Sequence, residues 1–404
     1  MKRGPDERRV AARCLTSPIK VTHDKLSVED IMHMFRSSQV VDDTFTTWST
    51  ATGFDAAEDD AANHVDDFNN FEELEWLCER GGVHSPICLI KGSWLLGQKE
   101  SEKSPIASRQ AIPREALYLG RITEALVLII VISYCWAGPG QPDPNNKLLS
   151  DVCEFLQYLE TSRHYGDHNP TIKKLNIGDR EILVFWDYSC MYQRSDGGVT
   201  LMQLDSFNRG LGHINVIYGH VGTMCLLCTD NYPVVERTGY KDSAWPYFES
   251  LVSMLIKDAN KALDLPTVRK WLNMMGNDIV SDLPGTQANC SIFWLYEYVR
   301  RADRQLPVDP ATFNTQITSK TATNGSDIDF LVIKFLDTFN AVMHPAKKIA
   351  LENVPGATPE QWRLFLEVTL KECPLLVHVD ISCNEAITDA TLVPFAALHA
   401  RWSF

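Results

Sequence analysis

The 404-residue chain has no long hydrophobic run and no excess of basic charge. Its longest aliphatic stretch, Ala125 to Ile132, is less than half of the roughly 20 residues that a membrane-spanning helix needs. Lys and Arg number 38 against 52 Asp and Glu, which gives a formal net charge of −14. Nucleic acids and anionic membranes both bind through clustered cations, so this balance argues against either as a partner. The N-terminal "MKRGPDERRVAARCL" lacks the apolar core of a secretory signal. The expectation is a cytoplasmic chain whose eleven cysteines are reduced thiols.

Two further absences narrow the chemistry. Cys225 and Cys228 form a CxxC, but they lie inside "GTMCLLCTD", which reads as an apolar strand, and no second pair of similar spacing completes a zinc ribbon. They read as buried structural thiols, and no metal is expected. No GxGxxG follows the strand that ends in "SYCWAGPG", so tight dinucleotide binding through a Rossmann cradle is not supported.

What is present divides the chain into four parts. Residues 1–115 form an acidic extension, expected to be largely disordered, because "DAAEDDAANHVDDFNNFEELE" holds few large aliphatics to offset chain entropy. Within it, "NNFEELEWLCERGG" predicts a short helix with Asn70 as cap, Glu73 three residues on and Gly81 as stop. Residues 116–300 alternate between strand and helix periods. "ALVLIIVISY", "EILVFWDYS" and "GTMCLLCTD" read as buried strands. "NKLLSDVCEFLQYLETSR", "LMQLDSFNRGLGHINVIYGHV" and "DSAWPYFESLVSMLIKDANKAL" read as helices. This order implies right-handed crossovers and a mainly parallel sheet flanked by helices, with ligands held where the strands' carboxyl ends open into loops. Residues 301–345 read as a polar connector followed by a helix over "IDFLVIKFLDTFNAVMH".

Residues 346–404 follow another grammar. "LLVHVDISCNEAITDATLVPFA" places Leu376, Val377, Val379 and Ile381 before Asn384, then Ile387 and Leu392. This resembles one leucine-rich repeat, and a single repeat must lean on a neighbouring element to bury its face.

Three segments of the α/β part, "VISYCWAG", "LVFWDYSCMYQ" and "YKDSAWPYFES", together resemble the TIR-type domains and their heterokaryon-incompatibility (HET-like) relatives. The first is similar to the opening Y-x-x-L-S-Y-x-W-G, the second to a second-strand W-I/V-D motif, and the third to S-x-W-C-x-x-E. The likeness covers about residues 120–260 and implies a flavodoxin-like sheet. Pro246 stands where the family has Cys, at a helix position that tolerates proline.

Some domains of this type hydrolyse NAD with one glutamate four residues after that Trp, a position that Glu249 occupies after Trp245. Helical spacing puts Glu249 at the edge of the stripe formed by Trp245, Phe248, Leu251, Val252, Leu255 and Ile256. Partial desolvation there raises a carboxyl pKa and suits acid–base work or ribose binding. The other reading is an ordinary boundary glutamate.

The remaining candidates carry the same duality. Trp136 either stacks on a base or caps the sheet as a rim aromatic. Ser133 holds a ribose or phosphate or satisfies its own turn. Asp187 binds a ribose hydroxyl or caps the next segment, with Tyr188 and Trp245 as further contacts and Tyr192 and Gln193 in the same turn. His213 and His220 read as structural rather than metal-binding. Cys135 and Cys190 lack a His–Asp pair that would mark a nucleophile.

Three functions remain open at this point. The first is a signalling or defence enzyme that cleaves NAD at the nicotinamide–ribose bond, with NAD as substrate, no resident cofactor and self-association completing the site. The second is a non-catalytic oligomerisation module that recruits protein partners through the repeat-like segment. The third is a nucleotide sensor using the same cleft.

Overall fold

All eight side chains of Val127–Tyr134 are buried, and this run forms the middle strand of a five-stranded sheet. The structure, a computed structural model, describes residues 66–78, 85–100, 105–138, 140–164, 178–193, 198–230, 239–258, 261–275, 305–322, 324–351, 354, 356–381, 384–389 and 391–392.

The first half of the chain contains α1 (Phe71–Leu77), β1 (Ile90–Lys91), α2 (Gly92–Glu100), β2 (Val127–Tyr134), α3 (Lys147–His164), β3 (Glu181–Phe185) and the single turn α4 (Asp187–Cys190). There follow α5 (Leu201–Gly212), α6 (Ile214–Gly219), β4 (Thr223–Cys228), α7 (Ala244–Met254), β5 (Ala262–Asp264) and α8 (Leu265–Met275). The C-terminal part contributes α9 (Pro310–Ile317), α10 (Ser326–Met343), β6 (Lys348–Ala350), α11 (Pro359–Glu372) and β7 (His378–Asp380).

The strand order is β1-β3-β2-β4-β5, with β1 antiparallel to β3 and every other pair parallel. Ile130 thus sits between Val184 on one side and Met224 on the other. From β2 the chain steps outward to β3, then crosses back to build β4 on the opposite side. That reversal makes a topological switch point at the carboxyl ends of β2 and β4, the place where such sheets open a crevice. Helices cover both faces, α3 packing with α2 and α8, and α6 with α7, α1 and α10. No helix among the described residues is long and apolar enough to cross a membrane.

Several elements differ from the sequence reading. The expected helix from Asp242 to Leu263 stops at Met254, and Ala262–Asp264 instead pairs with β4. Three residues are too few to display strand alternation, so β5 hides in the apolar spacing of the helix before it. The expected helix from Leu201 onward is two helices, with His213 as the C-cap of α5 and the N-cap of α6. Gly210 nonetheless has a packing role, because a Cβ there would lie 2.8 Å from the Pro86 carbonyl oxygen.

The boundary at residue 115 also moves. Asn70 does cap α1, its side chain accepting from the Glu72 N–H. Phe68, Leu74, Leu77, Ile87, Leu89 and Leu95 are all buried, and β1 forms the sheet edge. The ordered body therefore includes residues before 116. The first 65 residues and Gly81 lie outside the described residues, but the end of the acidic block, Asp66 to Glu75, is not disordered as expected: it leads into α1 and is built into the body.

The polar connector contains α9, which the sequence signals through Asp309 and Pro310. The Asp309 carboxylate accepts from the N–H groups of Ala311 and Thr312. α9 buries Phe313, whose ring stacks 4.0 Å from Phe335 and 5.7 Å from Tyr247. The chain just after α9 also joins α7: Thr321 donates to the Asp242 carbonyl and accepts from the Ala244 N–H. Farther on, β6 and β7 pair in parallel around α11. The Asn384 side chain fastens that turn by donating to the carbonyls of Leu351 and Ile381 and accepting from the Val354 N–H.

Candidate functional site

The carboxyl end of β2 delivers two neighbouring hydroxyls to different partners, as strand alternation requires. Ser133 donates to Glu249 Oε2 at 2.7 Å, and its Oγ also lies 2.7 Å from the Tyr240 hydroxyl. Tyr134 donates to Asp187 Oδ1 at 2.6 Å. Segments from β2, the start of α4, the turn before α7 and α7 itself thus meet at the switch point.

Glu249 is more deeply buried than its place at the edge of a stripe implied, with 6% of its surface exposed. Burial pushes its carboxyl up to about 8, the Ser133 hydrogen bond opposes that rise, the Asp187 charge adds to it, and the Tyr218 hydroxyl again favours the anion. At neutral pH the protonated carboxyl is therefore the favoured form. Ser133 has one hydroxyl hydrogen, and it points to Glu249 when that group is ionised. Tyr240 then supplies its own hydrogen to Ser133 Oγ, giving a directed chain from Tyr240 through Ser133 to Glu249.

Asp187 organises the other edge. Its carboxylate accepts from Tyr134, from Trp136 Nε1 at 3.0 Å and from the Tyr188 N–H. Burial pushes this carboxyl up, against the pull of those three donors. Trp136 is half-buried and meets the Tyr188 ring edge-on at 5.6 Å. The Tyr188 hydroxyl donates to the Gly140 carbonyl, which folds the Gly/Pro loop back over α4. Asp187 is therefore spent on local anchoring, and Trp136 is oriented by it. Gln193 is tied to the backbone of the same turn through Asp187 and Met191.

Trp245 is not brought to this cluster. Its Nε1 donates to Asp327 Oδ2 at 3.1 Å, and its ring packs against Phe330 on α10. The cysteines have structural surroundings. Cys190 is buried with its thiol pushed up and accepts from the Trp186 N–H. Cys225 and Cys228 are buried on β4, three apart and hence on opposite faces, so they cannot share one ion. Cys135 is half-buried, 3.2 Å from Ser243 Oγ at the start of α7. His220 is buried and pushed down to about 4 by desolvation. Its Nδ1 accepts from Gly222, so Nε2 carries the hydrogen that meets the Asn70 carbonyl.

Tyr240 and Tyr218 are the site residues that sequence reasoning missed. Tyr240 opens the third motif-bearing segment, five positions before Trp245, and looks like a loop aromatic; Tyr218 looks like one more apolar position of its helix. A separate surface hollow of about 570 Å³, lined by Lys91, Arg114, Glu115 and Tyr118, lies at the β1 edge of the sheet and includes none of these groups. No protein-family model, curated protein or solved structure matches the chain.

Proposed function

We propose that the chain is a TIR/HET-like signalling or defence protein whose switch-point site hydrolyses NAD at the nicotinamide–ribose bond. The observation that carries this reading is the Ser133–Glu249 hydrogen bond, which joins the first and third motif-bearing segments. The second segment joins them through Asp187, held by Tyr134 and Trp136. The order of the four parallel strands supports the flavodoxin-like, TIR-type arrangement.

In this reaction water adds to the ribose carbon, nicotinamide leaves, and ADP-ribose and a proton are released. Ionised Glu249 faces the positive charge that develops on the ribose, or holds a ribose hydroxyl, in surroundings where little water screens it. The ribose enters by displacing the Tyr240 hydroxyl from Ser133, and Trp136 packs against the base. NAD is the substrate, and neither a metal nor a resident cofactor takes part. Self-association completes the site.

Incubation of the purified protein with NAD at high protein concentration, with nicotinamide release as readout, tests the reading against Glu249→Gln. Release by the wild type and its loss in the variant are expected; no release, or equal release by both, overturns it.

The alternative is a non-catalytic assembly module, favoured by a specific surface. Leu364, Leu375 and Val377 are exposed by 46%, 53% and 76% around α11 and β7. The parallel β6–β7 pair and the Asn384 turn support the leucine-rich-repeat reading of this segment. Under this reading, charged substitutions at Leu375 and Val377 abolish partner binding or self-association, and nicotinamide is never released.

A further inference from the structure

We infer that the turn Gly239–Ser243 is a lid over Glu249, and that Lys320 and Thr321, in the chain between α9 and α10, are the latch that holds it shut. Its part in catalysis rests on the NAD-hydrolase reading; its opening does not.

The carboxyl that the reaction needs is shut away in this structure. Ser133 is fully buried, Glu249 is 6% exposed and Tyr240 is 4% exposed. Tyr240 closes the site, its hydroxyl 2.7 Å from Ser133 Oγ at the end of β2, where the switch-point crevice opens. No ribose reaches Glu249 while that phenol is in place. Burial pushes the Tyr240 hydroxyl well up, so it meets Ser133 as a neutral group. A ribose hydroxyl replaces it one hydrogen bond for one. The exchange at Ser133 is therefore close to even, and the resistance to opening comes from whatever else holds the turn.

That hold is supplied from far along the chain. Thr321 donates its N–H to the Asp242 carbonyl at 2.8 Å and accepts from the Ala244 N–H at 2.9 Å, which sets Ser243 in a parallel bridge beside it. The Lys320 ammonium donates to the Lys241 carbonyl at 2.8 Å. Three of the five residues from Tyr240 to Ala244 are thus tied to two neighbouring residues of the latch. The turn's own backbone bonds are longer, 3.0 Å from the Asp242 N–H to the Gly239 carbonyl and 3.4 Å from the Ser243 N–H to the Tyr240 carbonyl. Tyr240–Asp242 is a single 3₁₀ turn, and it keeps its place chiefly through the latch. Lys320 and Thr321 are continuous with α9 and α10, so a shift of these helices frees Tyr240 and uncovers Glu249.

Hydrogen exchange read by mass spectrometry tests the latch without any substrate. Lys320→Met deletes one latch bond, and exchange over Gly239–Trp245 should quicken about two- to tenfold, the equilibrium worth of one hydrogen bond. Thr223–Cys228 in β4 is the internal reference and should exchange as before. Equal exchange over Gly239–Trp245 in both proteins, or quickening of both segments together, overturns the latch.

Ser243→Cys tests the lid. Ser243 Oγ lies 3.2 Å from Cys135 Sγ, close enough for a disulfide across the closed turn. Oxidised glutathione should form that bond, checked by peptide mapping, and dithiothreitol should break it. Nicotinamide release should fall at least tenfold when the bond forms and recover on reduction, while the wild type given the same treatment is unchanged. Undiminished release by the bonded variant overturns the lid. If the disulfide does not form, or if the wild type releases no nicotinamide and the hydrolase reading fails, the exchange result decides both lid and latch.

Discussion

Ser133 Oγ and Glu249 Oε2 lie 2.7 Å apart, although 116 residues separate them in the chain. The contact fixes the end of the central strand against α7. It also gives a buried carboxyl a hydroxyl donor, with Tyr240 behind it. Both halves of that arrangement can be tested separately.

Removing the Ser133 hydroxyl takes away a group that favours the Glu249 anion. Ser133→Ala should therefore move the ionisation that limits nicotinamide release to higher pH. A hydrogen bond to a charged group is worth about 1.5–3 kcal/mol, so release at neutral pH should fall roughly ten- to hundredfold. Tyr240→Phe, which leaves the Ser133–Glu249 bond in place, should have the smaller effect. A pH–rate profile decides, and a profile unchanged in Ser133→Ala contradicts the relay.

Glu249 also ties stability to pH. The folded chain holds its proton up to about pH 8, whereas the unfolded chain releases it near the ordinary value of 4.5. The unfolded state therefore binds fewer protons across that window, and the stability contributed below 4.5 is lost as pH rises toward 8. Glu249→Gln removes the titration. Its unfolding temperature should fall less between pH 5 and pH 8 than that of the wild type, measured by circular dichroism; parallel curves would count against a buried, protonated Glu249.

Trp245→Phe separates packing from ligand contact. Loss of the hydrogen bond to Asp327 should cost about 0.5–1.5 kcal/mol in urea unfolding and leave nicotinamide release unchanged. A selective fall in release without loss of stability would restore Trp245 to the binding site.

Phe313→Ala tests whether the C-terminal helices are integral to the α/β body. Phe313 is fully buried between Tyr247 and Phe335, so truncation should cost about 3–5 kcal/mol. A loss below about 1 kcal/mol would mean that α9 is merely apposed.

Much of the frame was legible because β2, β3 and β4 are buried on both faces and read as continuous apolar runs. β1 and β5, of two and three residues, are too short to show any period. Glu249 was singled out by the resemblance to S-x-W-C-x-x-E, but its deep burial against Ser133 could not be read from its place at the edge of a helical stripe. The orientation of Trp245 was not, because α7's own sequence does not reveal that α10 packs beside it. Tyr240 was hidden for a related reason: its partner Ser133 lies 107 positions away, and only the crossover of the sheet brings them together. α9 was readable from Asp309 and Pro310, but the polar threonines around it masked the signal.

The pairing of Thr321 with Asp242 and Ala244 bears on how this protein can be cut. A fragment ending at residue 300, where the periodic α/β pattern fades, would strip the first turn of α7 of its backbone acceptor. It would also bare Tyr247 and Phe248, which pack on Phe313. The smallest excisable piece that keeps Glu249 in place therefore runs through α10. For protein engineering, the catalytic candidate and the helices beyond it are a single inheritable part.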